Sequence, residues 1–150
     1  MVTKKLVVAV DFSLPSIRAL QTAIDLARQL RGELHIVYVA DMKEQDSQVI
    51  EADGSDSVEK RVIRDLEGQI EALADDMSSD EIKVLIEIEY GDPTEGIVGL
   101  ADKVNADMIV MGTHGRAGIQ HLMVGSVAES VLRKTSIPVI CVRHIIASIA

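Results

Sequence analysis

The chain has 150 residues, a length that suits one domain with enough core to fold without disulfides or metals. Apolar residues make up 47% and aromatic residues only 2%, with no Trp, so the core is expected to be aliphatic, which argues against aromatic platforms for single-stranded nucleic acid. A formal net charge of −9 excludes a duplex-binding protein, which needs a basic footprint.

Residues 1–5 are too short and polar for a signal peptide, and no apolar run approaches the ~20 residues of a membrane span. The expectation is a cytoplasmic protein. Residues 6–10 are continuously apolar, which predicts a strand buried on both faces. Asp11-Phe12-Ser13 ends it. Ser13 can cap a helix and Pro15 suits its first turn. Ile17, Leu20, Ile24, Ala27 and Leu30 then recur at helical spacing, and Gly32 reads as the stop. Residues 34–39 predict the second strand.

Residues 41–57 are polar and acidic, which predicts a long loop. They lack the pattern of a calcium loop. Val58, Val62, Leu66, Ile70, Leu73 and Met77 trace the stripe of a second helix. Ile82, Val84, Ile86, Ile88 and Tyr90 alternate with Lys83, Leu85, Glu87 and Glu89, so this strand has a wet side and belongs at a sheet edge. Asp92 and Pro93 start a third helix, with Ile97, Leu100, Ala101 and Val104 as its stripe. Residues 108–111 predict another buried strand. A glycine-spaced loop, a fourth helix over 126–134 and a last strand over 137–142 follow.

Strands joined through helices lie parallel, with helices on both faces of the sheet. Ligands in such sheets bind beyond the carboxyl ends of the strands, where strand order reverses. The positions to inspect are therefore 10–11, 39–40 and 111–112.

The loop over 112–126 leaves a buried strand and enters a helix. Its glycines allow sharp turns and close backbone approach. Free amides there form an anion-binding concavity, to which the next helix adds its positive end. Arg116 adds a mobile charge, and the Ser126 hydroxyl can donate to a phosphate oxygen. Charges beyond Asp107 are Arg116, Glu129, Arg133, Lys134 and Arg143, a local positive excess. Ser126-Val127-Ala128-Glu129 also reads as a capping box that serves only the helix end, and both readings stand. The GxxxxGK[ST] loop is missing, and so is GxGxxG after the first strand. Without a P-loop lysine, fast NTP hydrolysis is not expected.

Gly112, two residues, Gly115, nine residues and Gly125-Ser126 resemble the nucleotide loop of the universal stress protein family. The opening Val8-Ala9-Val10-Asp11-Phe12-Ser13, the stretch Val110-Met111-Gly112-Thr113-His114-Gly115 and the closing Ile137-Pro138-Val139 fit the same pattern, so the resemblance covers nearly the whole chain. It implies a five-stranded parallel α/β sheet with helices on both faces, Rossmann-like and similar to the adenine-nucleotide α-hydrolase fold. It also implies the ATP-binding branch of the family. Asp11 would contact the nucleoside, and backbone near Val39 would meet adenine. Gly112, His114, Gly115, Gly125, Ser126 and Val127 would surround ribose and phosphates, beside Ala9, Val10, Met111 and Arg116. Mg²⁺ would be carried by the phosphates. The resemblance further implies a homodimer through Val139–Val142, extended by Ile145, Ile146 and Ile149, and an unknown protein partner.

No catalytic constellation or metal-ligand spacing is evident. His35, His121 and His144 read as structural or solvated, whereas His114 can orient ribose or phosphate. Cys141 is the lone cysteine and reads as a small buried hydrophobe. The leading expectation is an ATP-binding regulatory module with little turnover. A slow ATPase or self-modifying phosphotransferase, and a nucleotide-free dimeric adaptor, are the alternatives.

Overall fold

The computed structural model describes residues 3–40, 57–73, 82–113 and 125–143. Five strands, β1 (Lys5–Ala9), β2 (Glu33–Ala40), β3 (Lys83–Tyr90), β4 (Met108–Gly112) and β5 (Val139–Val142), form one sheet in the order β3-β2-β1-β4-β5. Every pairing is parallel. The connecting helices are α1 (Leu14–Leu30), α2 (Val58–Leu73), α3 (Pro93–Val104) and α4 (Ser126–Lys134). No described helix is long and apolar enough to cross a membrane.

The sheet carries an aliphatic layer on each face. On one, Leu6, Val8, Leu34, Ile36 and Val110 pack under Leu20, Ile24 and Ala27 of α1 and Val62 and Leu66 of α2. On the other, Val7, Val37 and Ile109 pack under Ile97, Leu100 and Ala101 of α3 and Val131 of α4. Successive strand side chains point to opposite faces, so a continuous apolar run serves both layers. β3 lies at the edge, as its wet alternation predicts.

Three local expectations need correction. Arg31, not Gly32, takes the left-handed conformation that ends α1, at φ 51°. Gly32 serves close approach instead, since a Cβ there would lie 2.7 Å from the Lys4 carbonyl oxygen. β5 starts at Val139 rather than 137, because Pro138 has no N–H for the ladder although its carbonyl accepts from Ile109. The capping box at α4 does not form. Gly125 occupies the cap position, Ser126 is the first helical residue, and among the described residues no side chain caps the amides. Glu129 pairs with Arg133 at 2.7 Å instead.

Candidate functional site

The strand order reverses between the adjacent strands β1 and β4, with β2 and β3 to one side of the pair and β5 to the other. A cavity of about 420 Å³ opens beyond their carboxyl ends, within the roughly 300–1,000 Å³ usual for small-molecule sites. Ala9, Val10 and Asp11 contribute from β1, Val37 and Val39 from β2, and Met111, Gly112 and Thr113 from β4. Pro93 and Ile97 of α3 form a wall, as do Gly125, Val127 and Ala128 around the start of α4. The α1 entry, Ser13 to Ser16, closes the rim.

Asp11 leaves β1 through a tight turn. Its Oδ1 accepts the Ser13 amide at 2.9 Å, and its own amide donates to the Ser16 hydroxyl oxygen at 3.2 Å. Ser16 is buried. Its hydroxyl donates to the Ser13 carbonyl at 2.9 Å, and its amide donates to the Ser13 hydroxyl, the cap of α1, at 3.3 Å. Loss of solvent through partial burial at the turn pushes the Asp11 carboxyl up. Hydrogen bonds from the Ser13 side chain and amide, from Ser16 and from its own amide outweigh this, so it titrates below its ordinary 3.8. Asp11 is thus an exposed, ionised acceptor at the cavity rim.

Gly112 is where β4 meets α1. A Cβ there would stand 2.4 Å from the Pro15 carbonyl carbon and 2.8 Å from the Ser16 nitrogen. The glycine therefore lets the helix entry sit against the strand end. Thr113 is buried, and its amide donates to the Val142 carbonyl at 2.9 Å, which ties the start of the loop to β5. Behind the cavity, a Cβ on Gly96 of α3 would come within 3.0 Å of a Val39 methyl group.

Of the expected site residues, Ala9, Val10, Asp11, Val39, Met111, Gly112, Gly125 and Val127 converge on the cavity. Ser126 is exposed at the first turn of α4 and is not part of the lining. His114, Gly115 and Arg116 lie outside the described residues. Sequence reasoning missed Val37, Ile97 and Ala128, whose apolar spacing is the same for a cavity wall as for core. It also missed Ser16 and Thr113, whose neighbours in sequence carried the detectable signal.

Elsewhere, buried His35 is held between Glu33 (2.6 Å from Nε2) and Glu87 (3.2 Å from Nδ1), a structural arrangement across β2 and β3. His121 and His144 lie outside the described residues. Cys141 is half-buried rather than buried, and burial pushes its thiol up. Among the described residues, no group of three or more His, Cys, Asp or Glu side chains could hold a metal ion.

A five-stranded parallel sheet with a cavity at its switch point defines an α/β domain of the doubly wound class. Over residues 3–143 the chain matches the model of the universal stress protein family, and it belongs to that family. It is 35% identical to a universal stress protein of Methanocaldococcus jannaschii, over 93% of this chain and 82% of that one. Its fold is similar to that of the universal stress protein UspA from Lactobacillus plantarum, with a TM-score of 0.73 at 22% identity, covering 95% and 99% of the two chains. A universal stress protein from Archaeoglobus fulgidus, solved in complex with dAMP, is 25% identical with a TM-score of 0.59, covering 95% and 99%.

Proposed function

We propose that this chain binds ATP in the strand-end cavity and acts as a nucleotide-dependent regulatory module in the stress response, with little turnover of its own. The observation that carries this reading is the juxtaposition within one cavity of three chemically distinct walls. Val37, Val39 and Ile97 offer an apolar surface for a flat base. Asp11 offers an ionised carboxylate to accept ribose hydroxyls. The start of α4 offers amides that no side chain among the described residues caps, beside Gly125, for phosphate oxygens. The dAMP complex of the Archaeoglobus fulgidus relative supports an adenine nucleotide as the ligand class.

The same lining bears on how a metal would reach the site. Among its described residues there is no Lys, Arg or His, and Asp11 is the one carboxylate. A single acidic side chain does not build a resident metal site, so Mg²⁺ would arrive on the phosphates. Isothermal titration calorimetry with ATP, AMP and GTP tests the reading. Heat with ATP and AMP, weaker or none with GTP, is expected. No heat from any nucleotide at protein concentrations well above micromolar overturns it.

A homodimer through β5 accompanies this reading. β5 is an uncharged edge strand, and all four of its residues remain half-buried in the single chain. Sedimentation velocity should give twice the chain mass, and a monomer at high concentration removes the dimer.

A further inference from the structure

Phe12 is a bulky residue with φ 65°, in the left-handed region that suits glycine. A position of this kind persists only where the surroundings hold it. Here the holding contact is visible. The Phe12 ring meets the Tyr38 ring at a centroid distance of 5.7 Å and an interplanar angle of 48°, an aromatic pair at tilted geometry. Both rings pack on the α1–α2 layer, whereas the cavity lies on the α3–α4 side.

The neighbours of these two residues face the other way. Asp11 and Ser13 flank Phe12, and Val37 and Val39 flank Tyr38; all four line the cavity. The aromatic pair thus joins the exit of β1 to the end of β2 from behind the sheet. This contact adds to the β1–β2 ladder, which pairs Ala9 with Val37, and to the Val10 amide, which donates to the Val37 carbonyl at 2.9 Å, in setting the spacing between the carboxylate wall and the apolar wall. A glycine at position 12 would satisfy the backbone without making the contact.

We infer that Phe12 is a positioning residue for the nucleotide site: its ring, seated on Tyr38, fixes the Asp11 carboxylate relative to the Val37–Val39 wall so that ribose and base are met together. This rests on the nucleotide reading given above. Phe12 touches no ligand in this arrangement and acts through the Asp11–Ser13 turn.

The test compares the full chain with Phe12→Gly and Phe12→Tyr. ATP affinity is measured by calorimetry, and the Asp11 carboxyl titration is followed by NMR without nucleotide. Phe12→Gly is expected to fold, to weaken ATP binding by about tenfold, and to bring the Asp11 titration back toward its ordinary position. Phe12→Tyr keeps the ring and should bind within about twofold of the unsubstituted chain with its Asp11 titration unchanged. If Phe12→Gly fails to fold, Phe12→Leu, which keeps apolar bulk without the ring face, takes its place with the same directions expected. Unchanged affinity in the ringless variant overturns the inference alone. Weakened affinity with an unchanged Asp11 titration also overturns it, because the ring then serves packing only. No nucleotide binding by the unsubstituted chain overturns the functional reading and this inference with it.

Discussion

Gly112 and Pro15 approach so closely that a single added carbon on Gly112 would stand 2.4 Å from the Pro15 carbonyl carbon. The end of β4 and the entry to α1 are therefore fitted backbone to backbone at the cavity rim. Gly112→Ala places its methyl group against main chain that cannot rotate away. A loss of about 2 kcal/mol in unfolding free energy is expected, together with weaker nucleotide binding as the Asp11–Ser16 turn is displaced. Urea denaturation and calorimetry read the two effects, and an unchanged denaturation midpoint contradicts the packing role.

The Asp11 carboxyl titrates below its unfolded value of 3.8, so between the two values the unfolded chain binds more protons than the folded one. Its contribution to stability is fully present above 3.8 and is lost as pH falls through the folded value. Asp11→Asn keeps an oxygen that can accept the Ser13 amide but removes the charge. The stability gap between the two proteins, measured by urea midpoints from pH 6 downward, should close in acid. A gap that stays constant with pH would show that charge plays no part.

His35 fills both ring nitrogens with carboxylates while almost wholly buried. His35→Leu removes both contacts and leaves Glu33 and Glu87 facing an apolar side chain. A loss of about 2 kcal/mol is expected. Nucleotide affinity should hardly move, since His35 does not line the cavity. Equal losses of stability and affinity would mean that the edge of the sheet and the site are coupled.

Arg31 ends α1 in the left-handed region at φ 51°, with an exposed side chain. Glycine reaches this conformation without the steric cost of a Cβ. Arg31→Gly should therefore raise stability by about 1 kcal/mol, which for a chain of this size moves the thermal midpoint by roughly 2–4 °C. A lower midpoint would point to a role for the guanidinium that the helix end does not explain.

The sheet was legible because its signals are physical and local. The unbroken run through Val7 and Val8 can only be a strand covered on both sides, and Glu87 and Glu89 among aliphatics mark a strand with one open side. Two helix starts were equally legible, since Ser13 and Asp92 cap α1 and α3 as their sequence positions suggest, but the start of α4 was less so. Gly125 and Ser126 both suit a cap, and which of them takes the extended backbone depends on how the preceding loop arrives. Half of the cavity was legible through Asp11 and Gly112, residues that interrupt apolar runs. Val37 and Ile97 carried no such mark, since only the sheet order turns one end of an apolar stripe into a wall.

The 3.0 Å approach between a Cβ on Gly96 and a Val39 methyl group gives the cavity a rear adjustment. Gly96 does not line the cavity, but Val39 does. A side chain introduced at 96 must either lift α3 or drive Val39 forward, shrinking the space left for a base. Ligand size selection can thus be retuned from inside the helix layer, without altering any group that meets the ligand.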